Sequence, residues 1–217
     1  MILFRMCWSA EVSLASFSIG ALGCLVLFLI GTVTEKILAL YLGFVSLMQL
    51  VEYGLWSNQT CNDEHKQVSI LGMTLNLAQP LVLSGLILAM NPSAPIPKIL
   101  TICGVYILAI LPSIFTYLSA KELQCTTASS KDPHLVWNWT ILPNEWFYHG
   151  VYLLALTLLP AIGLPKRSTG IAFGLATVGS YALSRLVYTR QVFGSMWCWY
   201  VALFPPLLAI NHYVKIV

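Results

Sequence analysis

Seven stretches of about twenty mostly apolar residues, parted by polar links, restrict this chain more than any other feature of its sequence. On an α-helix, a run of that length crosses the hydrocarbon core of a bilayer, about 30 Å thick. Within lipid there is no water to hydrogen-bond backbone N–H and C=O groups, so a spanning segment must satisfy them itself, as an α-helix does. The sequence therefore predicts an all-α, polytopic membrane protein, one seven-transmembrane-helix bundle with spans over residues 12–31, 35–57, 68–90, 98–119, 146–164, 169–188 and 193–214. Only 9% of its residues are charged, against roughly 25% in a soluble domain, which leaves no separate aqueous domain of useful size. The apolar run ahead of Arg5 is shorter than the 7–15 residues or so of a signal-peptide core, so no cleavage is expected.

The links carry their own signals. Asn91 to Pro97 holds three prolines and forbids helix, Pro112 is expected to kink the fourth span, and Pro205-Pro206 to break or bend the last. Residues 58–67 read as a solvated polar turn. The longest connection, residues 120–145, carries Trp137 and Trp139 and leads into Trp146. Tryptophan gathers at the membrane–water interface, so this connection is expected to lie flat on the membrane surface.

Seven spans put the N-terminus and the links after the second, fourth and sixth spans on one side. Basic residues are tied at five on each side, but on the other side Lys36, Lys98, Lys166, Arg167 and Lys215 lie in very short links and a short tail. That density favours an N-terminus outside or in a lumen and a cytoplasmic C-terminus. Both glycosylation triplets, at Asn58 and Asn138, fall on the outer side. So do Cys7, Cys61, Cys125 and Cys198, which an oxidising compartment would allow to bridge. Cys61 with Cys125, and Cys7 with Cys198, are the first pairings to expect, with free or interfacial thiols the competing arrangement.

The second span poses the chemical question. Gln49, Glu52, Tyr53 and Trp56 recur at i, i+3, i+4 and i+7, one face of a helix. An ionisable side chain within a membrane faces the bundle interior and seeks a partner. Arg185 lies at about the same depth on the sixth span, so a Glu52–Arg185 ion pair is the natural solution. Against it stand an Arg185 that snorkels to the headgroups and a Glu52 that is protonated. The same outer layer should hold Trp8, Glu11, Tyr148, His149, Tyr188, Trp197 and Trp199, with Asn76 deeper. Its ligand-binding candidates are Gln49, Glu52, Tyr53, Asn76, His149, Arg185 and Trp197, although the tryptophans also read as an interfacial belt.

Other chemistries lack their residues. No span pairs histidines at i and i+4 and no Cys-x-x-Cys occurs, so neither a metal site nor a cofactor is expected. Cys7 with His149 forms at best a thiol and base, and no catalytic set is assigned. The last span has no lysine for a retinal Schiff base and no Asn-Pro-x-x-Tyr of a G-protein-coupled receptor. Prolines do not recur at matching positions of two halves, as transporter repeats would require. A net charge of +3, small and scattered, implies no nucleic-acid partner.

Met6-Cys7-Trp8-Ser9-Ala10-Glu11, with Gln49-x-x-Glu52-x-Gly54-x-Trp56 and Gly194-Ser195-Met196-Trp197-Cys198-Trp199, resembles an uncharacterised multi-pass membrane family of large DNA viruses with bacterial relatives. Members of that family usually begin at the methionine of the first motif, here preceded by Met1 to Arg5. The resemblance brings no activity. It implies a virion internal membrane or a host endomembrane as the location, and, beside the lipid bilayer, capsid or other membrane proteins as partners. Taken with that resemblance, the sequence favours a non-catalytic structural component of a virus particle or assembly membrane. A sensor or transporter with an outer-half pocket at Glu52 and Arg185 is the alternative, and a membrane-embedded enzyme the third.

Overall fold

The computed structural model describes residues 9–128 and 134–214. Within them the chain forms α1 (Ala10–Ile30), α2 (Val33–Ser57), α3 (Asp63–Met90), α4 (Ile96–Ser119), α5 (Glu145–Gly163), α6 (Arg167–Val187), α7 (Phe193–Ala202) and α8 (Phe204–Val214). The last two are halves of one span, so seven helical segments are long and apolar enough to cross a membrane.

Local chemistry sets where these helices begin and end. Ser9 accepts a hydrogen bond from the Val12 N–H at 3.3 Å and starts α1. Thr32 and Glu35 form a capping box that restarts the chain as α2 after only two residues. Asn62 accepts from the His65 N–H at 2.9 Å, with Asp63 and Glu64 in the first turn. Consequently α3 begins five residues before the hydropathy boundary at Val68, and most of the expected polar turn is helix. At the other extreme, Pro205 and Pro206 have no N–H to offer the carbonyls of Val201 and Ala202, and the seventh span is interrupted at Leu203.

Burial separates a central pair of spans from the rest. More than half of the apolar window of α2 and of the α7–α8 span is buried, but a third or less of those of α1, α4, α5 and α6. Outward-facing leucines and aromatics such as Leu22, Leu29, Leu108, Phe115, Leu175 and Leu186 are each at least 63% exposed. A surface of that kind matches hydrocarbon and not water. The main core joins α2, α3, α4, α5, α6 and α7 through residues such as Leu42, Leu83, Tyr106, Tyr152, Phe173 and Phe193.

Close approaches are made where a side chain is missing. A Cβ on Gly23 of α1 would stand 2.6 Å from Pro206 Cδ, so α1 can pack on the interrupted seventh span only as glycine there. Gly170 and Gly174 of α6 likewise rest on the backbone of α5, at Pro160 and Thr157. At one end of the bundle the short links are tied together: Asn91 Nδ2 donates to Gly163 O at 2.8 Å, and the Lys166 N–H donates to Thr34 Oγ1 at 3.1 Å. The other end, termed the capped end below, gathers the connections after α2, α4 and α6.

Candidate functional site

The cap is the connection between α4 and α5. A disulfide joins Cys61 to Cys125, with Cα atoms 5.6 Å apart, and so ties this connection to the one after α2. Hydrogen bonds extend the seam. The Ala128 N–H donates to Gln59 Oε1 at 2.8 Å and the Thr126 N–H to His65 Nε2 at 3.1 Å. Asn138, half-buried, donates its Nδ2 to the carbonyls of Leu123 (3.1 Å) and Cys125 (2.9 Å). Asn58 Nδ2 donates to Asn62 Oδ1 at 3.3 Å on an exposed turn. Cys198 carries a free, buried thiol, and its expected partner Cys7 lies outside the described residues, as does Trp8.

The expectation of a surface belt fails for two of the three tryptophans at this connection. Trp137 and Trp139 stack on each other with centroids 4.9 Å apart, and they are 1% and 7% exposed. Together with Leu135 and Leu142 they plug the capped end, packing on Met48, Val51, Leu55, Met73 and Tyr117. The apolar positions of this connection thus fold back into the bundle, where their burial is worth more than interfacial contact. Trp146, by contrast, is 70% exposed.

Beneath the plug lies a cavity with about 40 Å³ of room for water centres, bordered by α3, α4, α5, α6, α7 and the cap. Room for one water takes about 10–15 Å³ by this measure, so the space suits about three or four non-hydrogen atoms. Five polar atoms on residues that line it have no hydrogen-bond partner within the protein: Ser113 Oγ, Trp137 Nε1, Trp139 Nε1, His149 Nδ1 and Tyr181 OH. Buried polar groups are almost always paired, so five orphans on the residues around one cavity are a concentration; each atom is itself closed off from the space in this conformation and would reach an occupant by a small rotation of its side chain. Two of them, the indole N–H groups, can only donate, whereas the hydroxyls can donate or accept. Asn76 and Trp197 complete the polar edge, the Trp197 Nε1 donating to Ser180 Oγ at 2.9 Å.

Of the seven residues that the sequence suggested as ligand-binding, Asn76, His149 and Trp197 line this cavity, and Gln49, Glu52, Tyr53 and Arg185 do not. The Glu52–Arg185 pair is not formed. Arg185 Nη2 instead meets Glu145 Oε1 at 3.3 Å, and Arg190 Nε meets Glu145 Oε2 at 2.8 Å. The Arg185 guanidinium also lies 4.5 Å from the ring centroids of both Trp146 and Phe193. The physical reason is placement: α6 packs on α5 and α7, so Arg185 reaches the first turn of α5, while α2 packs on α1, α3 and α7. Glu145, first residue of α5, sits where a helix N-terminus favours an anion.

Glu52 is fully buried between α2 and α7. Gln49 Nε2 donates to its Oε2 at 3.3 Å, Oε1 has no partner, and the Ser195 hydroxyl stands beside the carboxyl short of a hydrogen bond. Tyr53 is 40% exposed and points away from this face. One layer further in, the Tyr152 hydroxyl donates to Gln79 Oε1, leaving Gln79 Nε2 unpartnered. Sequence reasoning missed Glu145, Ser113, Trp137, Trp139 and Tyr181. For Glu145 a signal existed in its place at the head of a span, facing two arginines that straddle the end of another.

No group of three or more metal-ligating side chains occurs among the described residues. The chain is an integral membrane protein of seven helical spans, with a disulfide-tied cap over a small polar and aromatic cavity. No protein-family model, no curated protein and no solved structure matches it.

Proposed function

We propose that this membrane protein binds a small, neutral, hydrogen-bonding solute in the cavity under the Trp137–Trp139 plug, as a sensor or transporter does. The observation that carries this reading is the gathering of five unpartnered polar atoms on residues that line that one space. Neutrality follows from the wall: Glu52, Glu145, Arg185 and Arg190 all lie outside it. A charged ligand would find no counter-charge there and would be costly to desolvate.

The Cys61–Cys125 bridge supports an oxidising compartment at the capped end, hence a lumenal or external N-terminus and a cytoplasmic C-terminus. The resemblance at residues 6–11, 49–56 and 194–199 supports a viral or assembly membrane as the location. Structural service in a virus particle, with capsid or other membrane proteins as partners, is the second reading. The full burial of Gln49 and Glu52 among the helices favours it; the cavity favours binding.

The test is a titration of the protein in lipid nanodiscs with urea and acetamide, each of four non-hydrogen atoms by formula, read by tryptophan fluorescence and thermal unfolding. A saturable response that is weakened by Tyr181→Phe and Ser113→Ala is expected. A response that stays linear with concentration, as for an osmolyte, overturns the binding reading.

A further inference from the structure

The cavity under the plug is the first of three that follow one another along the bundle. A second, with about 10 Å³ of room for water centres, lies deeper among α2, α3, α5, α6 and α7, and Gln79, Thr177 and Cys198 border it. A third, with about 500 Å³, opens at the opposite end, where Lys166, Ser168 and Asn211 line it. Trp197 belongs to the walls of the first and the second, and Phe173 to the walls of the second and the third. Two aromatic rings thus each border two successive spaces.

We infer that the three cavities are one translocation path for small neutral hydrogen-bonding solutes, shut in this conformation at Trp197 and Phe173. This rests on the binding reading above and extends it from holding a solute to passing it. Hydrogen-bonding groups recur at every level: Tyr181 and Ser113 in the first chamber, Gln79 and Thr177 in the second, Ser168 and Asn211 in the third. The Gln79 amide is 3% exposed and its Nε2 has no partner, although the same side chain accepts from Tyr152. The second space now holds about one water by volume, and only once it widens would a passing solute supply that missing acceptor.

Both shared rings are held edge-to-face by other rings. Trp197 stands against Tyr181 (centroids 5.4 Å) and Tyr152 (5.8 Å), and Phe173 against Tyr41 (6.0 Å) and Phe204 (6.5 Å). The break at Leu203 falls between Trp197 on α7 and Phe204 on α8, the residue whose ring packs on Phe173. Interrupted spans lining a path are a recurrent way for membrane proteins to place irregular backbone next to a solute. Neither the first nor the second chamber has a carboxylate or guanidinium among its described lining residues, which selects against ions.

The full-length protein in liposomes, followed by stopped-flow light scattering after a urea gradient, tests the path. Urea flux above protein-free vesicles is expected. Trp197→Ala and Phe173→Ala should each raise it by about tenfold, because each ring gives up two edge-to-face contacts that hold it shut. Cys198 adds a measurement that needs no gate variant: methyl methanethiosulfonate, small and neutral, should label this thiol and block the flux, and Cys198→Ser should be resistant. Flux at the protein-free level in the wild type and in both gate variants, each verified as helical and monodisperse, overturns the path. So does flux that neither gate variant nor Cys198 labelling alters. Saturable urea binding without flux overturns translocation while leaving the binding site standing, whereas absence of both removes the two together.

Discussion

Arg185 and Glu145, forty positions apart, meet at 3.3 Å near the end of the bundle that the disulfide closes. The carboxylate is 4% exposed and also receives Arg190, while the Arg185 guanidinium lies over Trp146 and Phe193. The cluster fastens the start of α5 to the turn between α6 and α7, and Phe193 carries the connection on to the wall of the cavity. Removing the acid strands two cations, one of them largely out of water. Glu145→Ala is therefore expected to cost about 2 kcal/mol, well under the figure for a fully buried pair because Arg190 is mostly solvated. Arg190→Ala, at the exposed partner, should cost less than half of that. Thermal unfolding of both variants in one detergent checks the order, which a uniform surface network would not give.

The disulfide encloses a separation of 64 residues. By loop-closure entropy alone a cross-link of that span is worth up to about 4 kcal/mol. Its local effect should be more specific, since it holds the connection that carries Trp137 and Trp139. The double variant Cys61→Ser with Cys125→Ser is expected to unfold at lower temperature. Its tryptophan emission should also shift to the red and become accessible to acrylamide, as the stacked pair lifts from the bundle. Lower stability with unchanged tryptophan accessibility would show that the cap is held by its packing and by Gln59, His65 and Asn138, and not by the bridge.

Glu52 invites a prediction opposite to the one its position in the sequence suggests. Its carboxyl is buried beside Gln49 and Ser195, away from the cavity wall. Glu52→Gln keeps the volume and retains an acceptor for Gln49, so it is expected to change stability by less than about 1 kcal/mol and to leave the urea response unaltered. Glu52→Lys, which places a cation in the same closed space, should abolish folding. A weakened urea response in a well-folded Glu52→Gln protein would return Glu52 to the site.

What the sequence discloses follows from the range of the forces involved. Span number and helical class depend on the length of apolar runs, a local property, and they can be read residue by residue. The Cys61–Cys125 contact was within reach because both thiols lie in links at one end. The partner of Arg185 was not: Glu52 and Glu145 lie at similar depth, and which is adjacent depends on the neighbours of α6 in cross-section, which hydropathy does not encode. Trp137 and Trp139 were misplaced for a related reason, because a tryptophan in a link looks the same whether it rests on headgroups or folds inward. The cavity wall draws one to three residues from each of five helices and more from the cap, and no spacing rule connects one helix's set with the next.

The α5–α6 contact supplies a prediction that depends on backbone distance alone. A Cβ at Gly174 would stand 3.0 Å from Thr157 Cγ2 and 3.1 Å from its Cα, and one at Gly170 would overlap the Pro160 carbonyl oxygen. At Gly179, on the same helix, a Cβ would meet nothing within 4 Å. Gly170→Ala should therefore push the two helices apart and cost about 1–3 kcal/mol, the range for overpacking a site that cannot relax. Gly179→Ala should be neutral or stabilising by up to about 1 kcal/mol, since alanine loses less backbone entropy in a helix. Thermal unfolding of the pair in the same detergent decides between a close helix contact and a general preference for glycine. Because α6 also carries Thr177 and Tyr181 on its inner side, Gly170→Ala is expected to weaken urea binding as well as stability, whereas Gly179→Ala should change neither by much.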